Sequence, residues 1–268
     1  MSTQPDIRVP IAVAQFAPRT DKDANLAEIR RLTTEAAGDG ARLVVAPEYS
    51  MFTGRKLDAA AVAAAEPLDG PFVTGLSAIA QELAVYLVAG MNESVPGEDR
   101  FSNTLVALAP DGSLITVYRK LHLYDAFGFT ESDVVRPGDI VEPATFPIDG
   151  IVVGLQTCYD VRFPEVTRRL VDAGAGVVAL PAQWIPGPLK EDHWATLVRA
   201  RAIENTVYIA AADQSAPSGA GGSIIVDPMG VPMAALGERT GTVTATVSSH
   251  RLDEVRLRNP ALELRRLR

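Results

Sequence analysis

From Ile151 to Glu165 the chain reads Ile151-Val152-Val153-Gly154-Leu155-Gln156-Thr157-Cys158-Tyr159-Asp160-Val161-Arg162-Phe163-Pro164-Glu165. Residues 151–156 form a short, β-branched apolar run, the pattern of a buried strand. Pro164 suits the first position of a helix, where its missing N–H leaves no bond unmade, and residues 164–173 read as that helix. A second apolar run follows at residues 175–180. Strand, helix and strand follow in this order, and Cys158 falls on the turn between the first strand and the helix.

Working outward, residues 193–205 read as a long helix and residues 207–211 as a strand. A hairpin-like segment then joins residues 223–226 to 231–235 through Asp227-Pro228-Met229-Gly230. The first half carries the same order. Residues 7–16, 42–46, 85–90, 104–108 and 114–118 read as strands, and residues 25–37 and 71–83 have helical spacing, the former with Leu26, Ile29, Leu32 and Thr33 on one side. Val44-Val45-Ala46-Pro47 resembles Val178-Ala179-Leu180-Pro181, and the turn Pro110-Asp111-Gly112 resembles Pro228-Met229-Gly230. Such an internal duplication predicts an α/β protein with two mixed sheets face to face and helices outside. Residues 215–222 are too short for an interdomain linker, so residues 1–268 are expected to form one domain.

The composition removes several classes. The 268 residues hold one cysteine and three histidines, His122, His193 and His250, without the spacing of a zinc site, so neither a disulfide scaffold nor a metal centre is expected. A formal net charge of −8 disfavours phosphate backbones and anionic membranes, leaving nucleic acid and membrane off the list of partners. Residues 1–10 hold Asp6 and Arg8 and no apolar run of signal-peptide length, and no stretch reaches the length of a membrane span. The expectation is a cytoplasmic protein in which a free thiol is ordinary.

Three polar residues follow apolar runs, where open α/β sheets place their sites. Cys158 reads either as an inert buried thiol or as a nucleophile whose thiolate is favoured by the adjoining helix N-terminus. Glu48, after Leu43-Val44-Val45-Ala46-Pro47, reads as a solvated loop carboxylate or as a base in dry surroundings, able to take a proton from a thiol. Lys120 reads as a surface cation beside Arg119 or as a fixed charge for a developing oxyanion, with the N–H of Tyr159 as a second donor. Together they describe acyl transfer. His122, two residues past Lys120 on a possible continuation of the strand, is an alternative base. Glu131, in Phe127-Gly128-Phe129-Thr130-Glu131, reads as an ordinary loop glutamate or as a second acid near Lys120 that would assist with a leaving amine. Arg162 reads as a clamp for a substrate carboxylate or as a structural partner of Asp160 or Glu165; Trp184 reads as a pocket wall or as core.

These motifs resemble the nitrilase superfamily of carbon-nitrogen hydrolases. The likeness runs from Val13-Ala14-Gln15 through Pro47-Glu48-Tyr49, Arg119-Lys120-Leu121-His122-Leu123 and Cys158-Tyr159-Asp160-Val161-Arg162-Phe163-Pro164-Glu165 to Arg199-Ala200-Arg201-Ala202-Ile203-Glu204-Asn205. The resemblance implies an αββα sandwich, pairing into a homodimer or larger homo-oligomer, and a Glu-Lys-Cys catalytic set without cofactor or metal. By motif, Glu48 is the general base, Lys120 the oxyanion stabiliser, Cys158 the nucleophile and Glu131 the supporting glutamate. The Cys-Tyr-Asp-x-Arg-Phe-Pro-Glu pattern is similar to the ω-amidase and deaminated-glutathione amidase branch. It implies a small carboxylate-bearing amide as substrate, held by Arg162 with Tyr159, Phe127 and Trp184 around it. The chain departs from that branch at Ala182-Gln183-Trp184-Ile185-Pro186-Gly187-Pro188-Leu189-Lys190-Glu191-Asp192-His193-Trp194, which keeps an N-carbamoyl amide, another linear amide or an ester open as substrate; a nitrilase of the same superfamily is the further alternative. A binding or scaffold relative is the non-enzymatic alternative, and it would be expected to lack one of Glu48, Lys120 and Cys158.

Overall fold

The computed structural model describes residues 5–267. The first half runs β1 (Arg8–Gln15), α1 (Lys22–Gly38), β2 (Leu43–Val45), α2 (Ala59–Ala64), α3 (Pro71–Leu83), β3 (Tyr86–Glu93), β4 (Phe101–Leu108), β5 (Leu114–Arg119) and β6 (Val135–Arg136). The second half runs β7 (Thr145–Ile148), β8 (Ile151–Leu155), α4 (Pro164–Asp172), β9 (Val177–Ala182), α5 (Lys190–Asn205), β10 (Tyr208–Asp213), β11 (Ile224–Val226), β12 (Pro232–Ala235), β13 (Gly241–Ser248) and α6 (Ser249–Arg258).

The duplication read from the sequence is present in the topology. One sheet has the order β13-β1-β2-β3-β4-β5, with β6 beside β4; the other has the order β7-β8-β9-β10-β11-β12. In each, three parallel strands are followed by two antiparallel ones, and an antiparallel strand closes the opposite edge. That closing strand is β7 in the second sheet and the distant β13 in the first.

Strands with helices on one face and a second sheet on the other are buried on both, which is why they are apolar without polar interruption. Ile11 and Val13 of β1 face the space between the sheets together with Val45, Leu155, Ala179 and Tyr208. Their neighbours Ala12 and Ala14 face outward, onto Ile29 and Leu32 of α1 and Leu76 and Ile79 of α3. In the second sheet Val178 and Leu180 of β9 meet Val198 and Ala202 of α5 and Leu170 of α4. The result is the expected αββα order of layers. No helix among the described residues is long and apolar enough to cross a membrane.

Five elements were absent from the sequence reading: α2, β6, β7, β13 and α6. Beyond α6, Leu262 packs on the second helical layer and Arg265 pairs with Asp172 at the end of α4, at 2.5 and 3.0 Å.

Candidate active site

Glu48, Lys120 and Cys158 follow β2, β5 and β8, and the ends of these strands meet at one edge of the sandwich. Glu48 and Lys120 are only 1% and 2% exposed, so neither is a solvated surface charge. Lys120 Nζ donates to Glu48 Oε1 at 3.0 Å and to both oxygens of Glu131, at 3.0 and 2.8 Å. Asn103 Nδ2, from the middle of β4, donates to Glu48 Oε1 at 2.6 Å and to Glu131 Oε1 at 3.2 Å. The free oxygen of Glu48, Oε2, accepts the N–H of Gln183 beyond β9 at 2.6 Å. Glu131 also accepts the Tyr49 hydroxyl at 2.6 Å and the N–H of Tyr124 at 2.5 Å. Every oxygen of the two carboxylates therefore has a donor, which is what keeps buried charge tolerable.

Burial by itself would drive Lys120 toward its neutral form, but the carboxylates of Glu131 and Glu48 outweigh it and hold the ammonium well above the ordinary lysine range. Burial likewise opposes ionisation of Glu131, and there the charge and hydrogen bonds of Lys120, with those of Tyr49 and Tyr124, leave it below the usual carboxylate range. Lys120 is thus a fixed cation braced between two acids.

Cys158 is the first residue of a 3-10 turn, Cys158–Arg162, and has φ +46°. A left-handed backbone at a non-glycine residue is strained, and here the surroundings impose it. Thr157 and Asp160 cap the turn reciprocally, and Thr157 Oγ1 donates to the carbonyl of Pro181 at 2.8 Å. Asp160 is fully buried and accepts the Tyr118 hydroxyl at 2.6 Å, the His122 N–H at 3.0 Å and, at 2.8 Å, a hydrogen bond with His122 Nδ1. It ties the turn of Cys158 to the segment bearing Lys120. The His122 ring is held there, stacked on Phe163 at 3.7 Å, and does not line the cleft that holds Glu48 and Cys158.

The expected thiolate at a helix N-terminus is not what the site favours. Burial raises the Cys158 pKa well above its ordinary value, and the negative charge of Glu48 beside it acts in the same direction; Lys120 pulls it down by less. The thiol is neutral until something takes its proton, and Glu48 is the carboxylate next to it.

Two openings meet at Cys158. A cleft of about 420 Å³ has Glu48, Lys120, Glu131 and Cys158 in its lining. Adjoining it, a narrow pocket of about 10 Å³, room for a group about the size of one water, is lined by Tyr159, Arg162, Trp184 and Lys190 among others. Arg162 pairs with neither Asp160 nor Glu165. Its guanidinium carbon lies 4.9 Å from the Trp184 ring centre and 5.8 Å from those of Tyr159 and Phe127. Trp184 is both wall and core: its ring packs on Trp194, and its N–H donates to the carbonyl of Lys190 at 2.6 Å.

Asn103, Tyr49, Asp160, Gln183, Gln214 and Lys190 were not singled out as site residues in the sequence reading. Gln214 Nε2 donates to the Glu48 carbonyl at 2.8 Å, and its neighbour Asp213 accepts the N–H of Trp184 at 2.7 Å, fixing the loop that presents Gln183. Burial pushes the carboxyl of Asp213 well above its usual range. Asn103 lies in the polar stretch Ser102-Asn103-Thr104 of β4, just ahead of the strand expected over residues 104–108.

Comparison with known proteins agrees with this geometry. Residues 10–257 match the carbon-nitrogen hydrolase family. A deaminated glutathione amidase of Escherichia coli O157:H7 is 37% identical over 257 residues, covering 96% of this chain and 97% of the relative. The Caenorhabditis elegans NitFhit structure superposes with a TM-score of 0.88 at 29% identity, over 97% of this chain and 65% of that longer one. A variant of an amidase from Nesterenkonia sp. AN1 superposes at 0.77 with 26% identity, over 95% of each chain. It carries the acetamide moiety of fluoroacetamide covalently added at its active-site cysteine. With the match spanning both halves of the duplicated sandwich and a buried cysteine at the edge where the halves meet, the chain belongs to the carbon-nitrogen hydrolase family of the nitrilase superfamily.

Proposed function

We propose that the protein is an amidase that hydrolyses a small carboxylate-bearing amide through a thioester on Cys158. The observation that carries the reading is the buried Glu48–Lys120–Glu131 network beside a neutral thiol. Cys158 Sγ attacks the amide carbon while Glu48 takes the thiol proton. The carbonyl electron pair moves onto oxygen, where Lys120 and the N–H of Tyr159 receive it. That N–H lies in the first turn of its helix and so lacks an acceptor among the helix's own carbonyls. The C–N bond then breaks, and the leaving nitrogen takes the proton from Glu48 and departs as ammonia or an amine. Glu48 next removes a proton from water, whose oxygen attacks the thioester; the acid is released and the sulfur recovers its proton.

Glu131 keeps Lys120 charged and pointed inward. Arg162, without a carboxylate partner of its own, supplies the planar fork that a substrate carboxylate fits. The relative named as a deaminated glutathione amidase supports an amide as substrate. The test is ammonia release from a panel of ω-amides, neutral amides, carbamoyl compounds and nitriles. Cys158→Ala is expected to reduce turnover by about 10³-fold or more while preserving the folded state. Activity near that of the unaltered protein would end this reading.

A further inference from the structure

Asp213, the last residue of β10, is completely buried. Ser223 holds its backbone: the Ser223 hydroxyl accepts the Asp213 N–H at 2.9 Å and donates to Gln15 Oε1 at 2.7 Å. The carboxyl itself is bonded on one side only. The N–H of Trp184, at 2.7 Å, and that of Gln214, at 2.8 Å, both end on Oδ1. Oδ2 is buried too and has no hydrogen-bond partner among the described residues.

Glu48 and Glu131, by contrast, have a donor on every oxygen. An ionised carboxylate spreads its charge over both oxygens, so a bare one in a dry interior is costly unless a cation stands by. Among the described residues no cation lies within ion-pair distance of Asp213, and Lys120 directs its hydrogen bonds to Glu48 and Glu131. The N–H of Ala220 is committed to the carbonyl of Trp184, at 2.8 Å. Gln15 on β1, Ser223 before β11 and Gln214 are neutral. The charged group that acts on Asp213 from beyond β2 is Glu48, a second negative charge that adds to burial in opposing ionisation.

The peptide between Gln183 and Trp184 connects this acid to the reacting groups. Its N–H donates to Asp213 Oδ1, and its carbonyl accepts the Cys158 thiol at 3.7 Å. The N–H one residue earlier, that of Gln183, donates to Glu48 Oε2. We propose that Asp213 is a positioning residue, an acid kept protonated on Oδ2, whose Oδ1 sets the peptide that holds the Cys158 thiol and, through Gln183, Glu48. The neutral state matters for the chemistry. A charge on Asp213 would polarise that peptide and oppose the negative charge that grows at the sulfur as its proton leaves. The inference rests on the amidase reading and adds to it a residue that touches no substrate.

Infrared difference spectra between the unaltered protein and Asp213→Asn at neutral pH report the carboxyl without any substrate. The substitution is expected to remove a protonated-carboxyl band; loss of an ionised-carboxylate band in its place would overturn the neutral acid. Asp213→Asn also keeps an acceptor oxygen without charge, so kcat/KM for an amide should stay within about threefold, with the acid limb of its pH profile unmoved. Removal of a charged Asp213 would ease ionisation of Glu48 and move that limb to lower pH, which would overturn the proposal as well. Asp213→Ala leaves two N–H groups without their acceptor and loosens the peptide, and kcat per folded molecule should fall about 100-fold while KM changes less than about threefold. Rescue by asparagine but not alanine is a result that a role in folding alone would not give once rates are counted per folded molecule. An alanine variant with unchanged kcat, or an asparagine variant as impaired as alanine, would overturn the positioning role. Absence of amide hydrolysis by the unaltered protein would instead overturn the amidase reading and leave the infrared result standing.

Discussion

Asp160 shows how one buried side chain can position a site without touching the reacting atoms. It holds the turn that begins at Cys158, the hydroxyl of Tyr118 on β5 and the N–H and ring of His122, joining that turn to the segment of Lys120. Asp160→Ala would leave these donors buried and unpaired, at a cost of about 2–4 kcal/mol. We expect thermal unfolding to show that loss, and kcat to fall about 100-fold from displaced groups. Asp160→Asn keeps a carbonyl acceptor for the cap and should lose less on both measures. Residues at this scale were legible when an apolar run led into a polar one, as at Glu48, Lys120 and Cys158. Lys190 was not, because a lysine at a helix start is a solvated cation unless the preceding backbone turns it inward, and that turn depends on φ at Leu189. Asn103 was missed for another reason: the strand was read as starting at residue 104, which left the polar Ser102-Asn103 outside it, whereas β4 begins at Phe101 and carries the amide to Glu48 and Glu131.

The elements bring these residues together by close approach of backbones. Gly90 on β3 donates its N–H to Pro47 at 3.1 Å and accepts from Met51 at 3.3 Å, gripping the bend that bears Glu48 and Tyr49. A Cβ at position 90 would stand 2.7 Å from the Glu48 Cα and 2.6 Å from the Tyr49 N, so even alanine must push the bend aside. Tyr49 already has φ +53°, which leaves the bend little freedom to adjust. Gly90→Ala is therefore expected to lower kcat/KM about 100-fold without removing any reacting group. A kinetic effect below threefold, with the fold intact, would count against a Glu48 position that tight. The same dependence on partners explains which elements the sequence hid. β7 contains Pro147, which weakens the strand signal, and it is found at a sheet edge, where proline is tolerated. In β13 Val243, Ala245 and Val247 face the core while threonines alternate with them, a weaker contrast than alternating apolar and charged residues. α6 buries only Leu252 and Val255. The parallel core strands were plain because both faces are covered and the apolar run is uninterrupted.

Across the whole molecule, the core between the sheets draws on both halves, and hydrogen bonds at the site cross from one sheet to the other: Gln183 and Gln214 to Glu48, and Tyr118 to Asp160. Exposing the site's buried groups to water thus means separating the sheets, and the pH dependence of global stability reports on those groups. Cys158 has a folded pKa raised by burial above its ordinary 9.0, so its contribution is fully present below that pH and is lost as pH rises through the folded value. Lys120, Tyr49 and Tyr118, all raised above their ordinary values, act in the same sense from higher pH. Glu131, lowered below 4.5, acts at the other end: its contribution is present above 4.5 and is lost as pH falls through the folded value. Between pH 9 and 10 the thiol is the first of the alkaline group to matter. In urea unfolding, stability should fall there with a limiting slope of about 1.4 kcal/mol per pH unit from this one proton. Cys158→Ala removes the group from both states, so its stability should fall less steeply than that of the unaltered protein over this interval, the two curves running parallel near pH 7. Equal slopes from pH 9 to 10 would mean that the thiol titrates alike in the folded and unfolded chain, and with that the neutral, Glu48-dependent nucleophile would be lost.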